Sequence, residues 1–284
     1  MNRKGELVKI KEAVMLVDFI KMNGAGNDFI LIDNRNGHLS LTTEQIVRLC
    51  HRQKGIGADG LILLENCKSG QADFAWGFYN SDGSEAEMCG NGSRCFARFI
   101  QTLVPDIGPT VSFETISGII HAEFLGDQVK VELTQPHSLS LNIHLSWEDQ
   151  TGEVHFLNTG VPHTVCFVDD IESVPVKKWG EALRYHPYFS PKGTNVNFAQ
   201  RMPDGSIRVR TYERGVEGET LACGTGVTAT ALVSAAIFHL QSPVKIHTRG
   251  GDILQVGFVR EGAAFKNVTL TGPAEIAFKG QVEI

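Results

Sequence analysis

Residues 85–92 read EAEMCGNG and residues 219–226 read ETLACGTG, a glutamate four residues ahead of Cys-Gly-X-Gly in each half of the chain. A helix-forming stretch follows both. An echo of this kind implies a duplicated unit, so the reading is of two similar halves, each with a cysteine where a loop enters a helix. The unpaired N–H groups and the positive end of the dipole at such a start favour an anion, which predicts a lowered pKa for Cys89 and Cys223. The glycines at 90, 92, 224 and 226 strip side chains from the same turns, so a carboxylate can reach the bare amides there.

Outward from these turns, short β-rich pieces predominate. In the first half VDFIKM, DFILIDN, LILLE, FAWGFY, VSFETI, IIHAEF and QVKVELT read as strands, with a helix after Cys89 between FAWGFY and VSFETI. An earlier helix starts at Thr42, where TTEQ has capping-box spacing. In the second half EVHFLN, TVCFVD, SIRVRTY, VKIHT, ILQVGF and NVTLTG read as strands, with helices around KKWGEALRYH and after Cys223. Many strands and few helices predict a mixed α/β (α+β) fold. GIGADG (55–60) satisfies G-x-G-x-x-G, but it follows a helix end and precedes a strand, the reverse of a dinucleotide site, and reads as a turn.

The chain of 284 residues is 42% apolar and carries 26 basic against 32 acidic side chains, without a basic block, so nucleic acid is not an expected partner. No apolar run is long enough to span a bilayer and the first residues lack a signal-peptide core, so the expectation is a cytoplasmic protein with no membrane partner. Six cysteines in such a chain are expected to be free thiols. Cys50, Cys67, Cys95 and Cys166 read as buried packing residues.

If the halves face each other across a pseudo-twofold axis, Cys89 and Cys223 flank one substrate whose α-carboxylate is held at the helix starts. One thiolate can then take a proton from one face of a carbon while the other thiol returns one to the opposite face. The pair is expected to share one proton as a coupled system. Water must be excluded to form the carbanion, so closure around the substrate is expected. The competing readings are a metal site or a dithiol redox pair, for which CGNGSRC lacks CxxC spacing, and a non-catalytic amino-acid-binding cleft.

KMNGAGNDF (21–29), GIGADG (55–60), FYNSDGSEAEMCGNGSRC (78–95), TGVPH (159–163), GTNVNF (193–198) and YERGVEGETLACGTG (212–226) resemble the diaminopimelate epimerase family in order and spacing, from about residue 16 to the C-terminus. The resemblance implies two similar, pseudo-symmetric domains, each a β-barrel-like mixed sheet wrapped around a central helix. Residues 16–134 form the first, completed by a strand at about 274–284, and residues 135–273 the second; residues 1–15 have no counterpart. It implies an isomerase that uses neither pyridoxal phosphate nor metal, acts on a small amino-acid substrate and forms a homodimer. Cys89 and Cys223 match the acid/base pair, and His163 and Glu213 match positions that support them. Gly90, Asn91, Gly224 and Thr225 match the backbone donors to the reacting carboxylate. Asn27, Asn80, Asn195, Glu213 and Arg214 match the other substrate contacts. The departures are Gly60 and Val161, where some members carry glutamine and asparagine, and they put fine specificity in question. Another two-cysteine racemase of the same fold, acting on proline, hydroxyproline or an acidic amino acid, is the alternative; a cation at Arg214 favours a substrate with a second charged end.

Overall fold

The computed structural model describes residues 15–86 and 88–284. The N-terminal extension up to residue 14 lies outside them. The first half runs β1 (Leu16–Gly24), β2 (Asn27–Asp33), α1 (Thr43–Cys50), β3 (Gly60–Asn66), β4 (Phe74–Asn80), α2 (Gly90–Leu103), β5 (Thr110–Thr115), β6 (Gly118–Leu125) and β7 (Gln128–Glu132). The second runs β8 (His137–Trp147), β9 (Gln150–Asn158), β10 (Pro162–Phe167), α3 (Val176–Arg184), β11 (Asn195–Arg201), β12 (Ile207–Glu213), β13 (Gly218–Thr220), α4 (Gly224–Phe238), β14 (Val244–His247), β15 (Ile253–Glu261) and β16 (Ala264–Pro273). The last strand, β17 (Glu275–Glu283), returns to pair antiparallel with β1.

The two halves repeat in pairing as well as in order. Along β1-β2-β3-β4-β5-β6-β7 the successive pairs are antiparallel, parallel, antiparallel, parallel, antiparallel and antiparallel. The path β9-β10-β11-β12-β14-β15-β16 gives the same six alternations. Outside each path one further antiparallel strand is added, β17 on β1 and β8 on β9. The halves join where β7 and β16 pair antiparallel, with Leu270 opposite Val131. The fold is thus the mixed, pseudo-symmetric arrangement that the repeated cysteine turn predicts.

Each half wraps its sheet around one helix. α2 packs against β1, β2, β3, β6 and β7, and α4 against β9 to β12, β14 and β15. Both sequences suit a central position. α4 is GTGVTATALVSAAIF, small or apolar on every side, and is buried at nearly every residue. α2 places Cys95, Phe96, Phe99 and Ile100 in a core where Phe96 meets the rings of Trp76 and Phe113 at centroid distances of 5.7 and 4.9 Å. Apolar residues from both halves form one continuous cluster that includes Val131, Val227 and Leu270.

Local signals place the remaining elements. Thr42 caps α1 through a reciprocal pair, Gln45 N–H to Thr42 Oγ1 at 3.3 Å and Thr42 N–H to Gln45 Oε1 at 2.8 Å. GIGADG forms the turn between α1 and β3, with Gly57 in the left-handed region at φ 81°. β8, β11 and β13 lie outside the strands expected from sequence. No helix among the described residues is long and apolar enough to cross a membrane. Cys67 corrects its expectation as well. It stands half-exposed after β3 and donates to Glu114 Oε2 at 3.2 Å, whereas Cys50, Cys95 and Cys166 are buried.

Candidate active site

Cys89 and Cys223 are the N-cap residues of α2 and α4, with nearly the same extended backbone, φ/ψ of −144°/117° and −127°/110°. In each helix the first intrahelical bond runs to the cysteine carbonyl, Ser93 N–H to Cys89 O and Val227 N–H to Cys223 O, both at 2.8 Å. The three amides between cap and bond therefore have no intrahelical acceptor. Gly92 N–H points at Cys89 Sγ (3.4 Å), and Thr225 Oγ1 lies 3.5 Å from Cys223 Sγ.

The two helix starts abut. A Cβ on Gly224 would lie 3.2 Å from Asn91 Oδ1, and one on Gly90 would lie 3.1 Å from Leu270 Cδ2. A side chain here would crowd the other helix start and the β16 leucine, which would have to give by a few tenths of an ångström. Between them opens a cavity of about 190 Å³ whose wall includes Cys89, Gly90, Cys223, Gly224, Thr225 and Asn27. Val161, Asn195, Glu213 and Arg214 complete it with Met88. A larger cavity of about 780 Å³ shares Asn27, Cys89, Glu213 and Arg214 and extends past Asn80, Arg52 and Asp59.

The asparagines are held in place by neighbours. Asn27 Nδ2 donates to Asp59 Oδ2 (3.0 Å) and its Oδ1 accepts from Asn91 Nδ2 (2.6 Å). Asn195 Nδ2 donates to Pro162 O (3.0 Å) while its Oδ1 accepts from the Arg214 N–H (2.8 Å). Arg214 Nη1 reaches Lys192 O at 3.2 Å. Two other expected residues lie behind the cavity wall. Asn91 is fully buried, and its side chain bridges Asn27 and Arg94. His163 is fully buried beneath the start of α4, where a Cβ on Gly226 would lie 3.3 Å from its Cε1.

A match to the diaminopimelate epimerase family model covers residues 19–138 and 155–276. The chain is 46% identical to the diaminopimelate epimerase of Hydrogenobaculum sp. over 276 residues, covering 92% of this chain and 97% of that protein. It is equally 46% identical to that of Aquifex aeolicus, covering 94% and 98%. The chain belongs to the diaminopimelate epimerase family. It is an isomerase. Solved structures with the same fold include a phenazine biosynthesis PhzF-family protein of Bacillus anthracis (TM-score 0.71, 12% identity, 95% and 100% coverage). A hydroxyproline epimerase from Agrobacterium vitis is also similar (TM-score 0.66, 16% identity, 95% and 93% coverage).

The titration of this epimerase's cysteines differs from the sequence expectation. Burial pushes both thiols up, and the amides of Gly92 and Asn91 at Cys89, or the Thr225 hydroxyl and the Gly226 amide at Cys223, only partly offset it. The helix start is favourable to a thiolate, but for thiols buried this deeply the loss of solvation is the larger effect. Burial likewise raises the Glu213 carboxyl, and its Oε2 has no hydrogen-bond partner among the described residues. Burial, with Arg214 nearby, holds His163 down at about 3, so its ring is neutral at physiological pH. Asn197 Nδ2 faces its Nδ1 at 3.2 Å, and Nε2 has no partner among the described residues.

Sequence reasoning passed over Arg94, Asn197 and the cluster behind Asn27. There Asp28 accepts from Lys21 at 2.7 Å and from Arg52 at 2.8 Å, and Arg52 also reaches Asp59 Oδ1 at 2.7 Å. The alternation of charges in KMNGAGND and HRQKGIGAD was the available signal. Burial alone would raise the Asp28 carboxyl, but hydrogen bonds from Arg52 and Lys21 hold it at about 2. Its folded value is below the ordinary carboxylate value of 3.8, so its stabilisation is complete above that pH and is lost as the pH falls towards 2. Melting curves are expected to show a steep loss of stability over that window, flattened in Asp28→Asn. An unchanged pH slope in the variant would exclude Asp28 as the source.

A Cβ on Gly60 would lie 2.7 Å from Tyr79 O and 2.9 Å from Phe78 Cε2, so this backbone has no room for a side chain there. Val161 presents an apolar wall to the smaller cavity.

Proposed function

We propose that the chain epimerises LL-diaminopimelate to the meso form by two-base chemistry without a cofactor, in the supply of lysine and cell-wall precursors. The observation that carries this reading is a pair of cysteines at symmetry-related helix starts, both on the wall of one cavity. The reacting α-carboxylate lies across the two helix starts, where amides at Gly90, Gly224 and Thr225 neutralise it and favour the carbanion that forms next to it. One thiolate removes the Cα proton and becomes a thiol. The other thiol gives its proton to the opposite face and becomes a thiolate. The net result is inversion, with one proton moved between sulfurs that solvent later resets.

The distal end of the substrate extends into the larger cavity, where Arg214 answers its carboxylate and Asn27, Asn80 and Asn195 orient its polar groups. A proline-type substrate would leave both that volume and the cation unused. Glu213, raised by burial and beside both thiols, stands where it can accept from the reacting amino group. The chain works as two halves, residues 16–134 with the C-terminal strand and residues 135–273, which close on the substrate.

The test is proton NMR of LL- and meso-diaminopimelate in D2O with reduced, chelator-treated protein and nothing added. Loss of the Cα-H signal together with interconversion of the isomers is expected. Silence with diaminopimelate and turnover of hydroxyproline or proline would replace the substrate while leaving the chemistry.

A further inference from the structure

Among the described residues Arg94 is the largest fully buried side chain, and none of their carboxylates pairs with it. Its guanidinium is held by neutral oxygens from three elements: Gly90 O (3.2 Å) and Asn91 Oδ1 (2.9 Å) on α2, Gly24 O (3.3 Å) on β1 and Pro273 O (3.2 Å) on β16. A guanidinium stays charged in a protein, and a buried charge without a counter-ion is costly. Such a group favours an anion nearby. It stands one helical turn behind Cys89, five residues on.

The pseudo-symmetry supplies an internal control. The position five residues after Cys223 is Thr228, also buried and neutral, whose hydroxyl donates to Gly224 O at 2.9 Å. That acceptor is the equivalent of Gly90 O, which Arg94 Nη1 reaches in the first half. The two cysteine turns therefore share backbone and acceptor but differ by one full buried charge.

We propose that Arg94 makes the two cysteines unequal, so that in the ligand-free enzyme Cys89 ionises before Cys223. The inference rests on the two-base reading only for its catalytic meaning. Arg94 acts through Cys89 and is a positioning residue: it also fixes the Asn91 side chain that donates to Asn27. The surrounding charges point the same way. Glu213 on β12 faces both thiols and opposes ionisation at each, Arg94 favours it at Cys89, and Cys89 itself opposes it at Cys223. Besides Cys89, the ionisable groups that act on Arg94 are Cys95 and Asp252.

The experiment reads ultraviolet thiolate absorbance against pH in full-length Cys223→Ala and Cys89→Ala proteins, each minus the double variant to remove the other four cysteines. Cys89 is expected to ionise about one pH unit or more below Cys223. Arg94→Gln, which keeps amide donors without charge, should close that gap, and Arg94→Lys should restore part of it. Equal or reversed order in the two single-thiol proteins overturns the proposal, and this comparison needs no Arg94 variant to fold. A gap that persists in Arg94→Gln overturns the role of Arg94. Loss of the two-base reading would register separately, as inversion that survives in one single-thiol protein.

Discussion

Replacing either Cys89 or Cys223 with alanine is expected to cut epimerisation by about 10²–10⁴-fold, the usual contribution of one positioned acid or base. The structure makes the expectation sharper than loss of rate. Each variant keeps one thiol on the cavity wall, which in the proposed mechanism faces one side of the substrate. That thiol can still remove a Cα proton from the configuration that presents hydrogen to it, and in D2O it can return a deuteron to the same face. Exchange without inversion should therefore survive for one stereoisomer in Cys89→Ala and for the other in Cys223→Ala. Combining the two changes should cost little more inversion than either alone, because neither thiol inverts without its partner. If one variant still inverts at the parental rate, a single base suffices and the symmetric mechanism fails. Folding is a separate matter: each change removes one sulfur from a site already lined by backbone, so melting temperatures close to the parent are expected.

Much of this architecture was legible because duplication leaves a mark where chemistry leaves little freedom. The repeated Cys-Gly-X-Gly marked both helix starts, and the capping box at Thr42 and Gln45 marked the third. What sequence reading missed has physical reasons. β8 carries Leu139, Leu141, Ile143, Leu145 and Trp147 in alternation, but positive φ at Ser138 and Asn142 and two register shifts break the pairing. β11, NVNFAQR, was read for its asparagines, although Val196 and Phe198 are core residues of a strand paired on both edges. The pKa expectation failed for a different reason. A helix start is visible in sequence, but the depth at which it is buried is set by β16 and by the opposite half. The same applies to Arg94, whose burial depends on strand ends about 70 and 180 residues away in sequence, as its partners Gly24 and Pro273 show.

The two halves of the cysteine motif are also expected to respond unequally to the same substitution. Gly92 and Gly226 occupy the same position, three residues after the cysteine. A Cβ on Gly92 would make ordinary contacts with Cys89 Cβ, Ile62 Cδ1 and Phe29 Cε1 at 3.4 to 3.5 Å. One on Gly226 would overlap Asn197 Oδ1 and press on His163 Cε1 at 3.3 Å. Asn197 cannot yield freely: it is fully buried, donates to Thr164 O at 3.0 Å and accepts from Thr211 Oγ1 at 2.9 Å. Gly92→Ala is therefore expected to leave stability within about 1 kcal/mol of the parent, since alanine is the better helix former and the packing is not strained. Gly226→Ala should cost about 1–3 kcal/mol by overpacking. It should also lower turnover, because the displaced Asn197 orients His163 beneath the Cys223 turn. Denaturant melts of the two variants read the first difference and initial rates read the second. Equal losses at both positions would mean that the α4 start can shift as a body, and that the His163–Asn197 pair does not hold it.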